Sequence, residues 1–178
     1  MSAENIKAKA LKCIDEIYPS ADTLNDTYFP VDDFLGEAVR WAIDILPVHI
    51  FTEREEMAFS KIEEAGGVLY LTPASEVGRV VYVRLPEWAR PADIIYEDSL
   101  IYRQQKNRVL RGNASRPVVA LMIDGTMEAY STTQKAPTSI PAYQIPYDAE
   151  YIPEKAEDIC AWKLAEIVLM SMSDAQNA

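Results

Sequence analysis

The chain has 178 residues, 49% of them hydrophobic, and a formal net charge of −11. That apolar content supports a real core and excludes global disorder, and the length fits one domain, or one domain carrying an insertion. The acidic balance argues against general nucleic-acid binding, which needs lysine and arginine against phosphate, yet it suits the lining of a passage through which DNA slides without adhering.

Ser2 can cap a first helix running to about Tyr18, with Ile6, Ala10, Cys13, Ile14 and Ile17 on one face, and Pro19 stops it. Residues 20–31 read as a loop with turn formers and two aromatics. Asp32 can cap a second helix, with Asp33 in its first turn. Leu35, Ala38, Val39, Ala42, Ile45 and Leu46 form its apolar face, widened by Trp41 and Ile43, and Pro47 ends it. A third helix is expected over Thr52–Ala65, because Thr52 and Glu55 form a capping box and Gly66-Gly67 can terminate it.

The texture then becomes β-rich. Val68–Leu71, Arg79–Leu85 and Ile94–Tyr96 read as strands, and Leu100–Gln105 as strand or helix. Val118–Ile123 and Met127–Ser131 read as a hairpin about an Asp124-Gly125 turn. Pro137, Pro141 and Pro146, interleaved with Tyr143, Tyr147 and Tyr151, predict an extended arm over 132–152. The arm either packs on its own domain or lies across a neighbour. A last helix starts near Pro153; it is apolar nearly all round from Ile159 to Met170, so it is expected to be wrapped by the N-terminal helices or by another subunit. The architecture is therefore α+β in a single domain. A small helical bundle comes from both chain ends (1–66 and 153–178), with a β-rich insertion over 67–131 and the arm over 132–152.

Charge is distributed unevenly. Residues 98–117 carry five basic residues and one acidic one, net +4, while 1–97 carry −9 and 118–178 carry −6. The five cations are Arg103, Lys106, Arg108, Arg111 and Arg116. Such a segment is a solvated loop, a docking surface for an acidic partner or the next copy of the chain, or a nucleic-acid contact. Gly112 and Asn113 suit a tight turn within it.

No constellation argues for catalysis. His49 is the single histidine and reads as a core or capping residue. The carboxylate pairs, such as Asp32-Asp33 and Glu157-Asp158, fall on expected helix ends and surfaces. Gly66-Gly67 precedes a strand, whereas phosphate-cradling loops follow one. Cys13 and Cys160 read as small buried hydrophobes of a reducing compartment, with a disulfide between the end helices as the alternative. No stretch approaches the roughly 18 apolar residues of a membrane span, and MSAENIKAKA lacks an apolar signal core, so a cytoplasmic or cytoplasmically assembled protein is expected. No metal or cofactor is expected.

The order of these features resembles the head–tail adaptor (connector, or neck-ring) proteins of tailed bacteriophages, particularly short-tailed, crAss-like phages. The matching phrases are KAKALKCIDEIYP, DDFLGEAVRWAIDILP, VVYVRLPEWARPADIIY, YRQQKNRVLRGNASRPVVAL and PYDAEYIPEKAEDICAWKLAEIVLMSMSD. The resemblance implies a structural virion protein without enzymatic activity, commonly in twelve copies. These would form a ring below the portal protein, extending the DNA channel and offering a platform to tail and neck proteins. It implies no membrane partner and places the protein in the virion neck. It carries no site residues; the five cations with Tyr143, Tyr147 and Tyr151 are the interface candidates on charge and composition alone. Another neck or tail-hub component is the alternative within the same class. A small ligand-binding protein or enzyme built on Tyr102, Arg103, Asp124 and His49 is the alternative outside it.

Overall fold

The computed structural model describes residues 2–17, 30–130 and 136–176. The loop expected over 20–31 falls almost entirely outside these residues, as do 131–135 at the start of the expected arm and the last two residues of the tail. The fold is α+β, with helices at both ends of the chain and strands between them. It divides into two compact units: a helical one of residues 1–53 and 147–178, and a β one of residues 54–146.

In the helical unit, α1 (Ser2–Ile17), α2 (Val31–Ile45) and α4 (Glu157–Gln176) pack together, with α4 against both of the others. Apolar residues three and four apart make the contact. α1 buries Ile6, Ala10 and Ile14. α2 buries Val31, Ala38, Val39, Ala42 and Ile43, so its inner face is rotated from the expected one, and Ile45 is 63% exposed. α4 buries Cys160, Ala161, Leu164, Ala165 and Val168. Lys9 on α1 ties down the first turn of α4, its ammonium 2.9 Å from Glu157 and 2.8 Å from Asp158. These carboxylates also suit the positive end of the helix. Their hydrogen bonds, Asp158 foremost, raise the Lys9 pKa. Both cysteines are free, and burial pushes the Cys160 thiol up to about 11. His49 lies exposed in a one-turn 3-10 helix, Val48–Ile50, rather than in a core.

The β unit contains two sheets. The larger has the order β2-β3-β7-β6-β5, formed by Phe59–Ala65, Val68–Pro73, Met127–Tyr130, Val118–Leu121 and Asp93–Tyr96. The smaller has the order β1-β8-β4, formed by Glu55–Glu56, Ala142–Ile145 and Arg79–Val83. Only β5 and β6 run parallel, and the connection between them contains α3 (Leu100–Gln105). Leu69, Leu71, Val119, Met127 and Ala129 of the larger sheet pack against Val80, Val83, Leu85, Trp88 and Ala142. The opposite face of that sheet buries Val68, Ile95, Val118, Ala120 and Tyr130 with Tyr102 of α3.

One expectation is corrected here. The helix expected over Thr52–Ala65 is absent: residues 55–56 and 59–65 are strands, and Ala65 pairs with Val68 across Gly66-Gly67. Both glycines have positive φ, 63° and 79°, as a two-residue primed hairpin turn requires. The helix-like spacing of Phe59 and Ile62 is accommodated by an irregularity between Phe59 and Lys61, which puts both on the core side of a strand. Within the expected arm, Ala142–Ile145 is extended and packs on its own unit as the middle strand of the smaller sheet, with Ala142, Gln144 and Ile145 buried. Gly78 lies so close to that strand that a Cβ would stand 2.2 Å from the Ile145 carbonyl, and its N–H donates to Gln144 Oε1 at 2.8 Å.

Leu164 is fully buried at the contact of α4 with the other helices. Leu164→Ala is expected to cost about 2–5 kcal/mol in urea unfolding followed by helical circular dichroism. A loss below about 0.5 kcal/mol is the result that would make α4 peripheral.

Candidate functional site

The cationic segment folds into α3 and the turns that follow it, over the outer face of the larger sheet. Ser99 caps α3, its side chain accepting from the Tyr102 N–H at 3.2 Å. Asn107 Oδ1 then accepts from the Val109 N–H at 2.9 Å, and Asn113 Oδ1 from the N–H groups of Ser115 and Arg116, each at 3.0 Å. These side-chain acceptors replace lost helical bonds and hold the backbone in tight turns. Buried Gln105 joins the turns to the helix: its Oε1 accepts from the Gly112 N–H at 2.7 Å, and its Nε2 donates to the Ile101 carbonyl at 3.2 Å.

Beneath this segment lies a buried carboxylate. Glu128 on β7 is 9% exposed and accepts a short hydrogen bond from the Tyr130 hydroxyl two residues on, from the same face of the strand. Burial, and then the bond to Glu128, hold the Tyr130 phenol far above its ordinary range, so it remains a proton donor. The Lys106 ammonium donates to the Tyr102 hydroxyl at 2.7 Å and lies 3.7 Å from Glu128 Oε2. The Tyr102 bond chiefly raises the Lys106 pKa.

The five cations therefore divide into two kinds. Lys106 and Arg111 anchor the segment. The Arg111 guanidinium stands 5.5 Å from the centre of the Tyr130 ring, and donates to the Gln105 carbonyl at 3.2 Å and the Gly66 carbonyl at 3.1 Å. Arg103, Arg108 and Arg116 are exposed, and their side chains have no hydrogen bond or ion pair among the described residues. Leu100, Val109 and Leu110 accompany them at the surface, with Val109 89% exposed. The anchored base thus presents a tip that is cationic and apolar together.

Of the three tyrosines, Tyr143 belongs to the β unit and Tyr147 and Tyr151 to the helical unit. Tyr143 pairs with Tyr82 across β8 and β4, ring centres 5.7 Å apart. In the helical unit, the Tyr147 hydroxyl donates to Asp44 at 2.8 Å beneath the Arg40 guanidinium, and Tyr151 is half-buried in a 3-10 turn. Of the residues of the enzyme alternative, Tyr102, Arg103 and Asp124 belong to the β unit and His49 to the helical unit. Tyr102 lies buried under Lys106, and Asp124 is taken up by its own turn, accepting from Thr126 N at 2.9 Å and Oγ1 at 2.6 Å. Those bonds hold the Asp124 carboxyl below its usual range. Among the described residues, no group of three or more His, Cys, Asp or Glu side chains is placed to hold a metal ion, and no helix is long and apolar enough to cross a membrane.

A second surface was missed in the sequence. The outward side of α4 carries Ile159, Trp162, Glu166 and Met170, spaced as one stripe, with Trp162 71% exposed. Grooves run on both sides of Trp162. One, of about 600 Å³, lies towards Trp41; the other, of about 520 Å³, is lined by Cys13, Ile17, Leu169 and Met170 of α1 and α4. Asp158, Glu166 and Glu16 stand along them. The all-round apolar pattern of α4 was the signal, because α1 and α2 cover only its inner side. The surrounding charge is one-sided: the helical unit has 6 basic and 17 acidic residues, net −11, whereas the β unit has 11 of each.

Comparison of the sequence with models of known protein families and with curated proteins finds no match to either.

The two kinds of cation are separable by mutation. Arg108→Ala is expected to leave urea stability within about 0.5 kcal/mol of the parent. Arg111→Ala strips two backbone carbonyls of a donor and is expected to cost about 1–3 kcal/mol. Equal effects of the two substitutions would abolish the division between anchoring and free cations.

Proposed function

We propose that the protein is a structural ring component of a tailed-phage neck, placed below the portal protein, and that it has no enzymatic role. The order of sequence phrases suggests this class. The observation that carries the reading is the segregation of charge: the whole net −11 falls in the helical unit, while the β unit is balanced and holds Arg103, Arg108 and Arg116 exposed, without a side-chain partner among the described residues. A chain with oppositely biased regions can join copies head to tail, and a head-to-tail contact closes into a ring when its rotation permits. An acidic inner surface suits a DNA channel, because it repels phosphate and lets the duplex pass without specific contact. The exposed apolar residues on α4 and at the tip supply contact area of the kind interfaces use. The partners on this reading are further copies of the chain, the portal protein and tail or neck proteins.

Quantitative mass spectrometry of density-purified particles from a lysate that expresses the chain tests the assignment. The expected result is a ratio to the portal protein near that of a ring of matched copy number. Absence from intact particles is the result that overturns it.

A further inference from the structure

The geometry points to a specific mate for the Trp162 face: the cationic tip, residues 107–110, of a second copy of this chain. The inference rests on the ring reading and deepens it by naming both sides of the contact.

The two surfaces match in chemistry. The groove beside Trp162 has apolar walls from Ile17, Leu169 and Met170, with the carboxylates of Glu16 and Glu166 beside them. Glu166 is already shared with Lys163 at 3.0 Å, whereas Glu16 is exposed and has no ion pair among the described residues. The tip offers the complement, with Val109 89% and Leu110 59% exposed next to the unpaired Arg108 guanidinium. Val109 and Leu110 fill the groove, and Arg108 meets Glu16 and stacks on the open Trp162 ring. A planar guanidinium is suited to both tasks. Tryptophan and arginine are also the residue types that most often carry interface energy.

Charge selects this occupant over another α4 face. Two copies of the Trp162 face brought together would oppose acidic units that each carry −11. Arg108 is left for this contact because Lys106 and Arg111 anchor the segment. Each copy therefore donates a tip and receives one, so the contact is heterologous.

The test is photo-crosslinking of the full-length chain with benzoylphenylalanine in place of Trp162, using a mixture of isotope-labelled and unlabelled copies at high concentration. The expected product joins a labelled to an unlabelled copy and maps from position 162 to residues 107–110. Arg108→Glu is expected to reduce its yield about tenfold, the effect of a single lost charged contact on an equilibrium constant. Glu16→Arg in the same chain should restore part of it. Absence of any product between copies overturns the inference, as does a product mapping to α4 of the second copy or to another protein. The ring reading stands or falls separately: a chain present in particles without this crosslink keeps that reading and loses the contact, and a crosslinked chain absent from particles does the reverse.

Discussion

Strand β7 is buried on both faces, and the β unit is organised around that constraint. Met127 and Ala129 enter the core shared by the two sheets, while Glu128 and Tyr130 face the other way. A carboxylate in such a place is costly unless it is hydrogen-bonded and paired. Tyr130 supplies the first donor, and Lys106, held by Tyr102, supplies the nearby charge. One buried acidic group thus requires a cation above the outer face of the sheet, which means that α3 and its following turns must lie there. The position of the exposed tip follows from that requirement. The arginines that the buried group does not need are left to solvent.

The helical unit faces the opposite difficulty. Its core is apolar and ordinary, but two helices cannot surround a third that is apolar nearly all round. α1 and α2 cover the face of Leu164, so the stripe of Ile159, Trp162 and Met170 remains outside. The net charge of the unit also works against its own compaction. Lys9 and Lys7 offset this locally, Lys9 between Glu157 and Asp158 and Lys7 beside Asp32. The result is a stable inner side and an outer side that combines apolar area with acidic surroundings.

Much of this was legible in the sequence. The helices at both ends, the strands from Val68 to Tyr130 and the turn at Asp124-Gly125 follow from apolar periodicity and turn residues. The segment Thr52–Ala65 reads as a helix because Thr52 and Glu55 make a capping box and Gly66-Gly67 can stop it, whereas the structure forms strands there, with an irregularity between Phe59 and Lys61. The Gly66-Gly67 pair was the better signal, since two adjacent glycines before a strand favour a primed turn as much as a helix stop. The cationic segment was visible as a block of charge, but its division was not. Whether Lys106 or Arg108 stands over Glu128 depends on a partner 22 residues away in Lys106's case, and no local pattern encodes that pairing. The outer face of α4 was hidden for a related reason: an all-round apolar helix announces that it will be covered, without saying by what.

The sign of the charge gives these exposed features their direction. Apolar residues left on the surface of an isolated chain invite indiscriminate association. On the proposed contact, the acidic surroundings of Trp162 oppose the pairing of like faces, and Arg108 beside Val109 and Leu110 does the same for the tip. Both self-pairings are disfavoured by repulsion, and the cross-pairing is favoured by attraction, so one set of charges supplies positive and negative selection together. Screening at physiological salt limits these forces to about 8 Å, so they act at the moment of contact rather than at a distance. The energy of contact must then come from the apolar groups, with the charges deciding which faces meet. If copies pair in this way the contact is heterologous, and it closes into a ring only where its rotation permits.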